Sequence, residues 1–85
     1  MNWVLSAHAE TELQRREIPF ALLEQVMTSP EQIVPELRGL AAYQSRVAFP
    51  DGATYLLRAI VAERDPLTVV TVYRTSRIEK YWRTS

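Results

Sequence analysis

Three segments with strand character, separated by two turn signals, fill the second half of the chain and constrain its fold more than any other feature. Residues 40–49 (LAAYQSRVAF) alternate between apolar and polar positions, residues 53–63 (ATYLLRAIVAE) are mostly apolar, and residues 67–75 (LTVVTVYRT) are rich in β-branched side chains. PDG at 50–52 and RDP at 64–66 are turn sequences. The order predicts an antiparallel meander with the apolar segment at its centre.

The alternation of the first segment assigns its side chains to two faces. Tyr43, Val47 and Phe49 fall on one side, whereas Gln44 and Arg46 fall on the other. This pattern is typical of a sheet that is covered by helices on one face only.

A short segment before the meander extends the sheet. Residues 31–37 (EQIVPEL) have strand character but contain Pro35, which cannot donate a hydrogen bond to a neighbouring strand. We therefore expect an edge strand or a bulge there. The sheet is predicted to have three or four strands.

Two helices are predicted before the sheet. Ser6 is a favourable N-cap for residues 7–17 (AHAETELQRRE), and Pro19 suits the first position of a second helix over residues 19–29 (PFALLEQVMTS). Leu22, Leu23, Val26 and Met27 give the second helix an apolar stripe.

The chain ends in a third helical signal. Ser76 and Glu79 have the spacing of a capping box, which predicts a short helix over residues 77–83 (RIEKYWR).

The whole pattern predicts one domain over residues 1–85, of the α+β class. In it, two N-terminal helices pack on a three- to four-stranded antiparallel sheet, and a short C-terminal helix follows.

Composition narrows the classes of function. The 85 residues include no cysteine, a single histidine and two glycines, both in predicted turns. These counts argue against a disulfide framework, a tetrahedral metal site and a glycine-rich phosphate loop, so no metal and no cofactor are expected. Without a signal-peptide pattern or about 18 continuous apolar residues, neither export nor a membrane span is expected, and a cytoplasmic location fits.

His8 is the single histidine and a candidate general base. It falls in the first turn of the first predicted helix, where the helix dipole disfavours the imidazolium. It shares a face with Glu12 and Arg15, one and two turns further on, and not with the apolar residues. A lone histidine also often has a purely structural role, so the spacing leaves both interpretations open.

The basic residues form the second candidate feature. Net charge is zero, which argues against coating nucleic acid through charge alone, but nine of the ten basic residues are arginine. Because a buried, unpaired arginine is costly, we expect the strand residues Arg46, Arg58 and Arg74 on the sheet face that the helices leave open. Beside Tyr73 and Tyr81, such cations suit single-stranded RNA; alternatively, the aromatic residues simply close the core.

Two motifs carry a resemblance to a known family. SAHAETELQRREI at the N-terminus and TVVTVYRTS near the C-terminus resemble the DUF 4258 family, small bacterial proteins of unknown function. The matching residues are His8, Ala9, Arg16, Ile18, Thr71, Tyr73 and Arg74. Glu17 departs from the glycine that is frequent at its position in the family, which is expected to alter the link between the two helices but not the polar residues. The likeness covers nearly the whole chain in order of elements.

The layout of such domains is similar to that of RelE-like toxins, many of which cleave RNA without a metal. This resemblance implies an endoribonuclease that is the toxin of a toxin–antitoxin pair, with RNA and an antitoxin as partners. The roles implied are catalytic for His8, Tyr73 and Arg74, and substrate-binding for Arg16, Arg46, Arg58, Lys80 and Tyr81. The alternative is a non-catalytic interaction domain or a homodimer formed through a sheet edge, which zero net charge favours.

Overall fold

Two helices cover one face of a five-stranded sheet in the computed structural model, which describes residues 2–84. In chain order the elements are β1 (Trp3–Leu5), α1 (Ala7–Arg15), α2 (Phe20–Thr28), β2 (Gln32–Pro35), a single 3₁₀ turn (Leu37–Gly39), β3 (Ala41–Ala48), β4 (Thr54–Ala62), β5 (Leu67–Thr75) and α3 (Ile78–Tyr81). The predicted α+β layout, with two N-terminal helices and a short C-terminal helix, is confirmed.

The strand order of the sheet is β1-β5-β4-β3-β2. Neighbouring strands are antiparallel except β1 and β5, which run parallel from the Trp3–Leu67 pair to the Leu5–Val69 pair. The sheet has five strands where three or four were predicted, because β1 is too short for its periodicity to show in the sequence. The most apolar segment is the central strand β4, as predicted.

Ser6 links the start of α1 to β5. Its Oγ accepts a hydrogen bond from the Ala9 amide at 3.0 Å, as predicted for an N-cap, and donates one to the Val70 carbonyl at 3.2 Å.

No helix among residues 2–84 is long and apolar enough to cross a membrane.

The link between α1 and α2 is a tight C-terminal cap. The amide of Ile18 donates to the Leu13 carbonyl at 2.9 Å, and the amide of Glu17 donates to the Gln14 carbonyl at 3.1 Å. Glu17 lies in the left-handed region with φ of 52°. This paired bonding is the Schellman motif, whose left-handed position is usually glycine. The resemblance implies glycine at this position, and Glu17 forms the cap in its place.

Apolar side chains pack on both faces of the sheet. The larger core lies between the helices and the sheet, and its fully buried members include Leu23 and Val26 of α2 and Leu57 of β4. A smaller cluster around Ala42 and Ile60 lies on the opposite face, which we call the α3 face because α3 bonds to it, as described below.

A bulge in β5 decides which residues reach each face. Val61 pairs with Val69 and Ile60 pairs with Thr71, so Val70 is an extra residue in the strand. Beyond the bulge, Tyr73 lies on the α3 face, whereas Arg74 lies on the helix-covered face. The expectation that Arg74 lies on the open face is therefore wrong, because the extra residue reverses the alternation of the strand.

The C-terminal helix begins differently from the prediction. Its N-cap is Arg77 without a side-chain cap, and the Arg77 amide donates to Thr75 Oγ1 at 3.0 Å. The predicted capping box of Ser76 and Glu79 is therefore wrong. The helix is a single turn, shorter than residues 77–83.

Candidate functional site

A buried arginine lies at the centre of the α3 face. The Arg58 residue is 2% exposed, and its Nε donates to Gln44 Oε1 at 2.7 Å while its Nη1 donates to Tyr73 Oη at 2.6 Å. Its Nη2 lies 3.5 Å from Oε2 of Glu36, whose side chain is 35% exposed. We call these four residues the Arg58 network. The charge of Arg58 is thus balanced by one partly hydrated carboxylate and two neutral acceptors.

Strand register aligns three members of this network, Gln44, Arg58 and Tyr73. Gln32 of β2 is opposite Gln44 of β3, Gln44 is opposite Arg58 of β4, and Arg58 is opposite Tyr73 of β5. Four polar side chains therefore form one row across the sheet. Directly opposite residues on neighbouring strands are close enough for their side chains to bond, so hydrogen bonds run along the whole row.

The end of the chain covers this row. The Tyr81 ring centroid lies 4.4 Å from Cζ of Arg58, and Gln44 Nε2 donates to the Tyr81 carbonyl at 3.1 Å. Gln32 accepts from the Arg83 amide at 3.0 Å and donates to the Arg83 carbonyl at 2.6 Å. The basic and aromatic C-terminus therefore contributes directly to the structure, by closing the α3 face over Arg58.

The protonation state of the Tyr73 hydroxyl suits a role as a proton donor. Burial raises the pKa of its hydroxyl above the ordinary value, and nearby Arg58 acts in the opposite direction. Tyr73 is therefore a neutral phenol near pH 7. Because its oxygen accepts from Arg58, its own proton is available to another acceptor.

Arg46 and Lys80 also lie on the α3 side of the molecule. Arg46 bonds the Glu31 carboxylate through Nε at 3.2 Å and Nη2 at 3.0 Å, which lowers the pKa of Glu31. Its Cζ lies 4.1 Å from the Trp82 ring centroid. Lys80 is exposed on α3, with its Nζ 5.2 Å from the Tyr81 ring centroid.

His8 lies on the other side of the sheet. It is exposed on α1, whose buried residues Ala9 and Leu13 pack in the helix-covered core, whereas Tyr73 packs on the α3 face. The sheet separates the two side chains. The structure thus does not bring His8 to Tyr73.

Arg16, a predicted substrate-binding residue, belongs to an ion-pair cluster on α1. Its Nε donates to Glu12 Oε1 at 2.8 Å, and Arg15 bonds both oxygens of the same carboxylate at 2.8 Å. These bonds lower the pKa of Glu12 from its ordinary value of 4.5 to about 2. Since α1 packs on the helix-covered face, this cluster is remote from the Arg58 network.

Arg74 stacks on two aromatic rings of the helix-covered face. Its Cζ lies 4.7 Å from the Phe49 ring centroid and 4.8 Å from that of Tyr55. Tyr55 in turn donates to Asp51 in the PDG turn at 2.6 Å. The position of Arg74 is thus explained by packing, and its side chain is on the opposite face of the sheet from that of its neighbour Tyr73.

Of the residues proposed from the sequence, the structure gathers five on the α3 side of the molecule: Arg46, Arg58, Tyr73, Lys80 and Tyr81. It places His8, Arg16 and Arg74 with the helix-covered side. Glu36 was missed, because nothing in the local sequence indicates that this loop carboxylate reaches a strand arginine 22 positions later.

Within the part of the chain that the structure describes, no three His, Cys, Asp or Glu side chains form a group that could hold a metal ion.

Comparisons with protein-family models, with curated proteins and with solved structures found no match for this chain. The resemblance to the DUF 4258 family and to RelE-like toxins therefore stays a prediction from the motifs.

Proposed function

We propose that this protein is a metal-independent endoribonuclease, of the kind that acts as the toxin of a bacterial toxin–antitoxin pair, and that it acts at the Arg58 network. The observation that carries the proposal is a guanidinium placed between a phenol and a carboxylate. Arg58 bonds Tyr73 at 2.6 Å and lies 3.5 Å from Glu36. Cleavage of RNA by its own 2′-hydroxyl needs a base, a cation and an acid, and these three groups supply them.

Each group has one role in the proposed reaction. The Glu36 carboxylate takes the proton of the 2′-hydroxyl, and the 2′-oxygen then bonds to phosphorus. Arg58 stabilises the charge that develops on the phosphoryl oxygens. The bond from phosphorus to the 5′-oxygen breaks as Tyr73 donates its proton to that oxygen, leaving a 2′,3′-cyclic phosphate and a 5′-hydroxyl.

Access to these groups is from the rim of the network. The Arg58 side chain is 3% exposed beneath Tyr81, whereas Glu36 and Tyr73 are partly exposed on either side of it. Arg58 therefore acts on the phosphate from below, through its charge in a region of low dielectric constant. The exposed cation Lys80 provides a contact for a neighbouring phosphate of a single strand.

A non-catalytic interaction domain is the second candidate. Its support is that the hydrogen-bonding groups of Arg58 already have partners within the chain and are covered by its C-terminus. The two outer strands also expose apolar side chains, Val4 on β1 at 46% and Ile33 on β2 at 52%. Strand addition at either edge by a partner fits these observations.

Cleavage of defined RNAs separates the two candidates. A labelled single-stranded RNA and the same RNA with one 2′-deoxy position are incubated with the wild type and three variants, and the products are tested for a 2′,3′-cyclic phosphate. We expect Glu36→Gln and Tyr73→Phe to lower the rate by about 100-fold or more. His8→Ala is the matched control and is expected to stay within about threefold of the wild type.

Two outcomes count against the proposal in different ways. If the wild type neither cleaves RNA nor slows bacterial growth when it is induced, the nuclease is rejected in favour of the interaction domain. If His8→Ala alone abolishes cleavage, the nuclease stands and the site assigned to it here is wrong.

A further inference from the structure

A hollow lies beside the Arg58 network on the same side of the molecule. It has a volume of about 540 Å³ and is lined by Arg46, Ile78, Glu79, Trp82 and Thr84. This volume is within the range of roughly 300–1,000 Å³ that is usual for small-molecule sites. None of the groups assigned to the cleavage reaction lines it.

One wall of the hollow is a fixed aromatic platform. Trp82 is half-buried, and the Arg46 guanidinium lies 4.1 Å from its ring centroid. Arg46 is itself held by two bonds to Glu31. A ring immobilised in this way provides a stacking surface for a nucleobase at little cost in side-chain entropy.

The exposed acidic residue Glu79 also lines the hollow. A carboxylate has two acceptor oxygens and accepts two parallel N–H bonds. The Watson–Crick edge of guanine offers two adjacent N–H donors, at N1 and at the 2-amino group. Adenine, cytosine and uracil present no such adjacent pair on that edge. The lining therefore favours guanine.

The hollow is also close enough to the network for one RNA strand to span both. Gln44 and Arg46 are two residues apart on the same face of β3, and Gln44 bonds Arg58 directly. Along a strand this separation corresponds to about 7 Å. A nucleotide whose base occupies the hollow thus has its phosphate near the Arg58 network.

We infer that this hollow binds a guanine base of the RNA substrate, with Trp82 stacking on the base and Glu79 selecting it. The inference rests on the proposed ribonuclease function for its biological meaning, since the guanine would determine where the strand is cut. Base-selective binding of a nucleotide in the hollow is measurable without any cleavage.

Nuclear magnetic resonance provides the binding test. The chain has two indole N–H groups, and Trp3 is 6% exposed in the helix-covered core, so its signal is an internal control. Guanosine, adenosine and uridine 3′-monophosphates are titrated into the labelled protein. We expect guanosine 3′-monophosphate to shift the Trp82 signal saturably, with an affinity about tenfold above that for the other two.

Two variants test the selecting residue. Glu79→Gln is expected to remove the tenfold preference, whereas Glu10→Gln, at an exposed first-turn acid of α1, is expected to retain it. The inference is overturned by equal affinity for the three nucleotides, by no shift of the Trp82 signal, or by a preference that survives in Glu79→Gln.

The cleavage assay keeps this inference separate from the proposed function. If the protein binds guanosine 3′-monophosphate selectively but does not cleave RNA, the guanine site is supported and the nuclease activity is rejected. Cleavage that shows no guanine preference at the cut, together with unselective binding, retains the nuclease and rejects the site.

Discussion

Arg58 and Tyr73 are directly opposite each other on β4 and β5, and the guanidinium donates a hydrogen bond of 2.6 Å to the phenol oxygen. Together with the Glu36 carboxylate, whose Oε2 lies 3.5 Å from Nη2 of Arg58, this relationship keeps a cation in the face of the sheet. Removing a buried charged group leaves its former partners without hydrogen bonds, which is usually costly. The network therefore affects stability as well as chemistry.

Replacement of Arg58 should destabilise the fold more than replacement of the exposed Arg46. Arg58→Met leaves the amide oxygen of the fully buried Gln44 without its donor, and we expect a loss of about 2 kcal/mol in the free energy of unfolding. Arg46→Met breaks a surface ion pair, for which we expect less than about 1 kcal/mol. Urea unfolding followed by circular dichroism measures both, and equal losses would show that Arg58 is not held as described.

The two serines that resemble helix caps should differ in effect. Ser6→Ala removes an observed cap and the hydrogen bond to β5, so we expect a loss of about 1 kcal/mol in the free energy of unfolding. Ser76→Ala should cost less than about 0.5 kcal/mol, because α3 begins without a side-chain cap. Thermal unfolding compares the two variants, and a larger loss for Ser76→Ala would show that Ser76 does cap α3.

Glycine at position 17 should stabilise the protein. Glu17 adopts a φ of 52°, which costs an L-residue roughly 1 kcal/mol and glycine almost nothing. We expect Glu17→Gly to raise the free energy of unfolding by about 0.5–1 kcal/mol. Glu10→Gly, inside α1, is the matched control and should lower it by about 1 kcal/mol. The opposite signs are measurable in one denaturant series.

The ion-pair cluster of α1 should make stability depend on pH in the acid range. The pKa of Glu12 is lowered from 4.5 to about 2 by its bonds to Arg15 and Arg16. Its contribution to stability is therefore complete above about pH 5 and is lost as the pH falls towards 2. We expect the difference in thermal midpoint between the wild type and Glu12→Gln to shrink over that range. A difference that stays constant from pH 6 to pH 2 would contradict the lowered pKa.

Local sequence patterns predicted most of the fold. The alternation around Tyr43 and Gln44 assigned both residues to the correct faces, and Ser6 marked the start of α1. The three residues of β1 were missed because a strand that short has no period. The start of α3 was predicted wrongly because the Ser76–Glu79 spacing matches a capping box that the backbone does not form.

The candidate site depended on information that is not local. Arg58 was expected on the open face and is there, but it is buried, because Gln44 is its neighbour across the sheet and the C-terminus folds over both. Glu36 reaches the same guanidinium from a loop. Periodicity assigns a side chain to a face, whereas register and the path of the chain end determine its partners.

The extra residue Val70 decides which side chains of β5 share a face with Arg58. If β5 kept all its residues and paired with β4 without the bulge, every side chain from Thr71 onward would move to the other face. Tyr73 would then leave Arg58, and Arg74 would be on the α3 face opposite Leu56, diagonal to Arg58. The bulge therefore keeps a second positive charge away from the one already buried in the sheet, and its loss would be felt as electrostatic repulsion on that face.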